Sequence, residues 1–265
     1  MIKSLLVLLL VMVVPVVFAG TQTVGTVSIS PSPVDLTAGS TKYVVCNATL
    51  ADTDNWDNIT TANATIWHYI DSTEAAADNN TAHYTNTSCA LGTNTSLTAR
   101  PANCGFNLQY YSNNGTWTCK IRSYNSTGDE ASNSTNVTIN QLVSLDVAEA
   151  TLDFGTLALG GTSADDVNAT VQNTGNAGID VQLSGTTLSC NSGSILVGNT
   201  TYSAVPGTAY GSMTALTGSA VTLDLNVNKS TGSSITKLIH WKTQLLSSGV
   251  GGTCTNTITF TAVVG

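Results

Sequence analysis

Hydrophobic and polar residues alternate in short stretches along most of this chain, and the stretches are rich in Thr, Val, Ile and Tyr. A period of two is typical of a β-strand that buries one face, and Gly, Pro, Asn and Asp between the stretches predict turns. In the first half the pattern predicts strands over residues 24–30, 43–49, 64–70, 106–111, 116–124 and 136–139. One stretch, 72–78, has a helical composition and predicts one or two turns of helix.

The second half continues the same pattern. It predicts strands over residues 150–154, 166–172, 179–184, 194–202, 220–227, 235–246 and 253–264, with a turn at Asn173-Thr174-Gly175-Asn176-Ala177-Gly178. The strand that ends at residue 139 leads almost at once into the apolar run 142–147, so a boundary near Asn140 leaves little room for a flexible linker. The sequence therefore predicts an all-β fold of two tandem β-sandwiches, residues 20–140 and 141–265.

Residues 1–19 have the features of a cleaved signal peptide. Lys3 supplies the positive charge, residues 5–18 are almost wholly apolar, and the small-x-small pattern at 17–19 predicts a mature chain that starts at Gly20 or Thr21. The apolar run is shorter than the roughly 20 residues of a bilayer span, and Pro15 interrupts it. We expect a secreted or cell-surface protein with no membrane span after signal cleavage.

The charge balance excludes some partners. The chain has 8 Lys and Arg against 16 Asp and Glu, and charged residues make up only 9% of it. An acidic chain binds nucleic acid poorly, because Lys and Arg must displace counterions from the phosphates. With so few charges, Ser, Thr, Asn and attached sugar must solvate the surface.

Acceptor triplets for N-linked glycan are unusually frequent. The 24 Asn and 70 Ser plus Thr among 265 residues would give roughly six triplets by chance. Thirteen occur, ten of them before residue 140, which predicts a glycoprotein whose first domain is the more heavily covered. The acceptors are Asn47, Asn58, Asn63, Asn79, Asn86, Asn94, Asn114, Asn125, Asn133, Asn136, Asn168, Asn199 and Asn228.

Six cysteines in an exported chain predict three disulfides, and fifteen pairings exist in principle. Four cysteines fall in the first half and two in the second, so pairing within each half leaves three arrangements. We favour Cys46–Cys119, Cys89–Cys104 and Cys190–Cys254. In the chain-entropy model, closing these loops would stabilise the folded state by about 4, 3 and 4 kcal/mol, respectively.

Two groups of polar residues could carry chemistry, and each lacks part of the pattern that its chemistry needs. Asp52, Asp54 and Asp57 alternate with amides in a way that suits Ca²⁺, but the Gly and the bidentate Glu of the helix-loop-helix calcium pattern are missing. His68, His83 and His240 show no metal-binding spacing, and no nucleophile motif is present. We therefore expect a chain without enzymatic activity and without a cofactor, and we treat Ca²⁺ as a weak candidate.

Three stretches of the first half form a Cys…Trp…Cys pattern: Tyr43-Val-Val-Cys46, Ile66-Trp67-His68-Tyr69 and Gly115-Thr-Trp117-Thr-Cys119. They resemble the second, third and sixth strands of the broad immunoglobulin-like class. Trp117 stands two residues before the second cysteine, where that family has its corner tyrosine. The resemblance implies an immunoglobulin-like sandwich over roughly residues 22–140.

Five stretches of the second half form a second pattern: Leu152-Asp-Phe-Gly-Thr-Leu157, Gly160-Gly-Thr-Ser163, Asn173-Thr-Gly-Asn176, Ile179-Asp-Val-Gln-Leu183 and Thr257-Ile-Thr-Phe-Thr-Ala262. This pattern resembles β-sandwich domains in exported surface and fibre-forming proteins of archaea and some bacteria, of the TasA/camelysin-like kind. The resemblance implies a structural or adhesive role and brings no catalytic residues.

These features together favour a non-enzymatic structural glycoprotein of the cell surface, either a filament or an envelope subunit, whose partners are copies of itself or other surface proteins. A secreted adhesion or ligand-binding module is the alternative. Bare surface on the second domain is the expected contact region. Residues 22–30 are extended, uncharged and close to the mature N-terminus, so they are a candidate donor strand for a neighbouring sheet.

The first testable prediction concerns export. We expect the native mature protein to begin at Gly20 or Thr21 and to carry glycan on several of the ten acceptors that precede residue 140. Intact-mass measurement of native material tests this. A mass equal to that of the bare mature polypeptide would contradict the glycoprotein prediction.

Overall fold

The computed structural model describes residues 20–164 and 166–265, and the predicted signal peptide lies outside this part of the chain. The described residues confirm the all-β prediction, because they form twenty strands and, apart from these, only three single turns of 3₁₀ helix at Trp56–Asn58, Val197–Asn199 and Tyr210–Ser212. Among these residues, no helix has the length and apolar character that a membrane crossing needs.

The first domain is a sandwich of two antiparallel sheets. One sheet has the strand order β1-β3-β7-β6, with β2 also on β3, and the other has the order β5-β4-β8-β9. The strands are β1 (Gln22–Val24), β2 (Ser28–Ser30), β3 (Thr41–Asp52), β4 (Ile59–His68), β5 (His83–Asn86), β6 (Ala90–Leu91), β7 (Ala99–Gln109), β8 (Gly115–Asn125) and β9 (Glu130–Ile139).

The core follows from the alternation in the sequence. In β3 the side chains of Val44, Cys46, Ala48 and Leu50 are all buried, and the residues between them face outward or lie at half depth. The facing strand β8 buries Trp117, Cys119 and Ile121 in the same way. Because successive side chains point to opposite faces of a strand, this pattern places one row of each sheet inside the sandwich.

Two disulfides lie side by side in this core. Cys46–Cys119 joins β3 to β8 across the sandwich with a Cα–Cα distance of 6.7 Å. Cys89–Cys104 ties the chain before β6 to β7 at 4.5 Å. Cys46 and Cys104 are direct cross-strand partners in β3 and β7. The sequence alone does not show that β3 pairs with β7. This strand pairing places the two disulfides next to each other in the core.

Trp117 is the core tryptophan of the first domain, whereas Trp67, which the resemblance matches to the third strand, is not part of that core. Trp117 is fully buried and its indole N–H donates to the Asn113 carbonyl at 2.7 Å. That bond returns to the backbone four residues upstream, as the hydroxyl of a corner tyrosine does. Trp67 is only half-buried, because its neighbours Ile66 and His68 take the inward positions of β4.

The predicted helix at 72–78 is also wrong, since this stretch is an irregular loop. Its conformation is held by tertiary bonds. The Glu74 carboxylate accepts hydrogen bonds from Lys120 Nζ at 3.0 Å and from Arg122 Nε at 2.9 Å. Burial raises the pKa of the Glu74 carboxyl, but the hydrogen bonds and charges of Lys120 and Arg122 outweigh it, so the pKa lies below its ordinary value. Buried His83 contacts Asp78 Oδ1 at 2.8 Å.

The second domain is another sandwich, with the sheets β10-β11-β18-β15-β16 and β17-β12-β20 and a small sheet β14-β13-β19 at one end. Its strands are β10 (Leu145–Val147), β11 (Val167–Asn173), β12 (Ile179–Gly185), β13 (Leu188–Ser192), β14 (Ser194–Ile195), β15 (Thr200–Ser203), β16 (Thr214–Ala215), β17 (Val221–Val227), β18 (Thr236–Thr243), β19 (Gly251–Thr255) and β20 (Ile258–Val264). Trp241 and Tyr202 are the largest side chains of its core. The third disulfide, Cys190–Cys254, links β13 to β19.

The predicted strand at 150–154 is wrong and the segment is irregular. Leu152 and Phe154 pack against the core at half depth, which explains their spacing in the sequence. The expected strand 194–202 is likewise divided, because the turn Val197–Asn199 separates β14 from β15.

A buried polar turn joins the two domains. Asn173, Thr174 and Asn176 of the predicted turn are all buried. Asn176 accepts from the Leu142 amide at 2.6 Å through its side chain, and its own amide donates to the Leu142 carbonyl at 3.0 Å. The Thr174 carbonyl accepts from the amide of Gly39 in the first domain at 3.0 Å.

A second contact between the domains involves Lys229. Its ammonium group donates to the Asn113 side-chain oxygen, and Asn113 in turn donates to Asp71 at 2.5 Å. Burial lowers the pKa of Lys229, while the charge of Asp71 opposes that effect. These polar contacts add to the turn and limit rotation about residue 140.

The second testable prediction concerns this turn. A methyl group on Gly175 would lie 2.1 Å from the Leu142 carbonyl oxygen, a backbone atom that cannot move aside freely. We expect Gly175→Ala to lower the free energy of unfolding by roughly 2–3 kcal/mol. Gly178→Ala is the matched control in the same turn, because no atom lies within 4 Å of its added methyl group. Urea unfolding measures both, and equal stabilities would contradict the close packing of the turn.

Candidate contact surface and glycan acceptors

The thirteen glycan acceptors differ in how far their amide groups reach solvent. A glycan needs the Asn side-chain nitrogen to be free and outward. The exposed acceptors are Asn79, Asn94, Asn114, Asn133, Asn136, Asn168 and Asn228, and the half-buried ones are Asn47, Asn58, Asn63, Asn86 and Asn199. Asn125 alone among them is buried, with 6% of its surface exposed.

Asn125 organises the turn between β8 and β9. Its side-chain oxygen accepts from the amides of Thr127 at 3.1 Å and Asp129 at 2.7 Å. Its nitrogen donates to Asp129 Oδ2 at 3.1 Å. These bonds lower the pKa of the Asp129 carboxyl, since Asn125 and Thr127 both donate to it. A glycan on Asn125 is incompatible with this folded turn.

Two acceptors lie on one exposed edge of the first domain, and the side-chain nitrogen of one of them, Asn133, is engaged in hydrogen bonds and so is not free for a glycan in this structure. Strand β9 is the ten-residue edge of its sheet and carries Asn133 and Asn136. Asn133 donates to the carbonyls of Val24 at 3.3 Å and Gly25 at 3.0 Å, which ties β9 to the first strand. Val34 pairs with Ile139 and covers the last residues of β9.

The calcium candidates do not share one environment. Asp52 is buried, with 1% of its surface exposed, whereas Asp54 and Asp57 are exposed. Asp52 Oδ1 accepts from the amide of Asp54 at 2.9 Å and from the Asn58 side chain at 3.2 Å. In residues 20–164 and 166–265, no group of three His, Cys, Asp or Glu side chains is placed to hold a metal ion.

The three histidines have ordinary structural partners. His68 Nε2 lies 3.2 Å from the Asn114 carbonyl, and His83 Nε2 lies 3.3 Å from the Glu74 carbonyl. His240 Nδ1 lies 2.7 Å from Asn168 Oδ1 on the neighbouring strand. Each ring connects its own strand to an adjacent loop or strand.

The sheet edges of the second domain are protected to different degrees. The edge strands β10 and β16 are only three and two residues long. Strand β17 carries Asp224, its pairing with β12 is interrupted by a bulge, and Asn226 adopts a positive φ of 51°. Short length, charge and bulges all discourage the addition of another strand.

Strand β20, a seven-residue edge strand within the described part of the chain, has none of these protective features. Its seven residues, Ile-Thr-Phe-Thr-Ala-Val-Val, contain no charge and no proline. It pairs with β12 on one side only, in an uninterrupted register from Gly185↔Ile258 to Ile179↔Val264. We call this free side the β20 edge. Sequence reasoning missed it, because which strand ends a sheet depends on tertiary pairing.

A groove lined by both apolar and polar residues runs beside the first part of β20. It has a volume of about 430 Å³ and lies between the irregular segment 149–154 and the residues from 254 to 260. Leu152, Phe154, Leu188 and Phe260 line it, and the Glu149 side chain lies at its side. Glu149 is itself held by Thr170, whose amide and hydroxyl donate to it at 2.5 and 2.7 Å and lower the pKa of its carboxyl.

No protein-family model and no curated protein sequence matches this chain. The chaperone–tip adhesion subunit complex CsuC-CsuE of the Csu pili of Acinetobacter baumannii is 10% identical, with a TM-score of 0.38 over 89% of this chain and 99% of that one. Carbohydrate-binding modules of the β-sandwich superfamily are 13% identical, with a TM-score of 0.28 over 92% and 97%. The α-L-rhamnosidase of Streptomyces avermitilis is 9% identical, with a TM-score of 0.29 over 92% and 24%.

All three TM-scores lie below 0.5. These likenesses therefore carry no inference about function. The resemblance of the second domain to TasA/camelysin-like surface proteins stays a prediction.

The third testable prediction separates structural from glycan-bearing asparagines. In unglycosylated protein we expect Asn125→Ala to lower the free energy of unfolding by about 1–3 kcal/mol, because buried donors and acceptors lose their partner. Asn94→Ala, at an exposed acceptor, should stay within roughly 0.5 kcal/mol of the parent. Urea unfolding measures both changes. Glycopeptide mapping of native protein should then find sugar on Asn94 and none on Asn125, and full occupancy of Asn125 would contradict this turn.

Proposed function

We propose that this chain is an exported, non-enzymatic structural glycoprotein of the cell surface, and that copies of it associate by antiparallel pairing of their β20 edges. The observation that carries the proposal is the unprotected β20 edge beside a partly apolar groove. Three disulfides and thirteen glycan acceptors support an extracellular setting.

The hydrogen-bond register identifies which backbone groups are free on this edge. The Gly265 amide donates to the Gly178 carbonyl at 3.1 Å, and the Thr186 amide donates to the Thr257 carbonyl at 3.0 Å. In an antiparallel ladder the bonded residues alternate with residues whose groups face away. The odd-numbered residues of β20 therefore bond to β12, and the N–H and C=O groups of Phe260 and Ala262 face the free side.

Pairing of two β20 edges would give these backbone N–H and C=O groups hydrogen-bond partners in place of water. It converts two three-stranded sheets into one six-stranded sheet with the same contact on both copies, which is the symmetry of most homodimers. Leu152 and Phe154 are partly exposed beside the edge and would lose part of that exposure. A larger structural assembly, a filament or an envelope layer, would be built from this dimer.

The distribution of sugar favours the same surface. The sheet β5-β4-β8-β9 of the first domain carries Asn63 on β4 and Asn136 on β9, so bulky glycans there would hinder close packing against another chain. The acceptors of the second domain are Asn168, Asn199 and Asn228, and none of them belongs to β20 or to the groove beside it. The β20 edge is thus left accessible in a glycosylated chain.

Strand donation by residues 22–30 is not the favoured mode of assembly. In the structure β1 pairs with residues 50–52 of β3, and β2 pairs with residues 45–47 of the same strand. Donation of this segment to a neighbour would first break both pairings. The β20 edge needs no such rearrangement.

A ligand-binding or adhesion role is the second candidate, and the groove is the observation that favours it. Aromatic and aliphatic side chains with a few polar groups are the usual lining of a ligand site. In this case the groove would accept a segment of another protein in place of a second β20.

The fourth testable prediction addresses the β20 edge. We expect Ala262→Pro to weaken self-association roughly tenfold or more, because it removes an outward N–H without touching a bond to β12. Thr261→Lys, which adds an exposed charge to the edge strand, should act in the same direction. Thr222→Lys on β17 is the matched control, since Thr222 is also exposed on an edge strand.

Sedimentation equilibrium and negative-stain microscopy of the mature chain measure this association. If the parent protein is a monomer at high concentration, self-assembly is wrong and the adhesion role takes its place. If it associates and all three variants associate equally, another surface makes the contact.

A further inference from the structure

Asp52 carries a buried carboxylate with an incomplete set of partners. It ends β3, and only 1% of its surface is exposed. Oδ1 accepts from the Asp54 amide at 2.9 Å and the Asn58 side chain at 3.2 Å, but Oδ2 has no hydrogen-bond partner among the described residues. No Lys, Arg or His in that part of the chain forms an ion pair with Asp52.

A second unsatisfied side chain lies directly opposite. Gln22 of β1 is the cross-strand partner of Asp52 and is also buried. Both polar atoms of its amide lack a partner. A buried carboxylate without a counter-ion is strongly unfavourable, so this end of the sandwich is arranged for a positive charge that the internal side chains do not supply.

Gly20 stands at this position. A methyl group built on Gly20 would lie 2.4 Å from Asp52 Oδ1 and 2.9 Å from Asp54 Oδ2, so the Gly20 Cα is close to both carboxylates. The Gly20 nitrogen is one bond, about 1.46 Å, from that Cα. The chain is held in place here, because the Thr21 amide donates to the Thr53 hydroxyl at 2.9 Å.

We propose that the α-ammonium group of Gly20, released by signal cleavage, is the counter-ion of Asp52 and Asp54. Hydrolysis of the Ala19–Gly20 peptide bond consumes one water, leaves a carboxylate on Ala19, and gives Gly20 an amine that is protonated at neutral pH. The uncleaved chain has a neutral peptide nitrogen at the same place. The inference rests on the export step of the proposed function and selects Gly20, not Thr21, as the first residue of the mature chain.

The arrangement links maturation to stability. Cleavage adds the one charge that the Asp52 environment lacks, at the start of a strand that also contacts β8 and β9 of the opposite sheet. The mature N-terminus is then part of the fold of the first domain. A side chain on the first residue would require the two carboxylates to shift, and glycine avoids that displacement.

The test uses chains with defined N-termini, so its result does not depend on how a cell processes the precursor. Three forms are compared: free Gly20, N-acetylated Gly20, and a chain extended by Ala19. We expect the acetylated and extended forms to unfold at temperatures lower by roughly 3–8 °C. In the Asp52→Asn background the difference between the free and acetylated forms should vanish, and in Asp54→Asn it should shrink. Asp57→Asn, at an exposed carboxylate of the same loop, should leave the difference unchanged.

Equal melting temperatures for the free and acetylated forms overturn the inference, as does a difference that persists in Asp52→Asn. If Asp52→Asn does not fold, the Asp54→Asn and Asp57→Asn pair decides the question. Titration with CaCl₂ and with a chelator forms a separate arm. Stabilisation of the acetylated form by CaCl₂ to the level of the free form would assign the site to a metal ion. N-terminal mass spectrometry of native protein tests the export step by itself, so the two failures are distinguishable.

Discussion

This architecture depends on how the unpaired backbone N–H and C=O groups of the edge strands are protected. A chain with almost no helix must satisfy each strand on both sides or leave an edge to solvent. The first domain covers the last residues of its ten-residue edge β9 with residues near Val34 and places two glycan acceptors along it. The second domain shortens, bends or charges most of its edges and leaves β20 open. The proposed assembly follows from this difference.

Several of the few ionised groups have a defined structural task. Glu74 is paired with Lys120 and Arg122 and anchors a loop that otherwise has no regular structure. Lys229 reaches across the domain junction to Asn113. Asp52 differs from these groups, because its carboxylate is buried and one of its oxygens has no hydrogen-bond partner among the described residues. With so few charged residues in the chain, the missing counter-ion of Asp52 is easy to identify.

Polar burial recurs wherever two parts of the molecule must keep a fixed relation. The turn at 173–176 is packed against the segment 140–144, and its hydrogen bonds are directional, so it fixes an angle that apolar contacts alone would leave loose. The same principle operates at Asn125, whose side chain defines the turn between β8 and β9. The acceptor triplet at Asn125 therefore has a structural role in the turn.

The sequence by itself determined the all-β class, most strand positions and the inward rows of the cores, because alternation with a period of two is a local property. Tertiary structure decided what local patterns do not contain. Trp117, not Trp67, fills the core because the inward phase of β4 is set by its pairing with β8. Residues 72–78 and 150–154 are irregular because ion pairs and core contacts outweigh local propensity. The open β20 edge and the buried Asp52 depend on which segments end up side by side, a relation that spacing along the chain does not express.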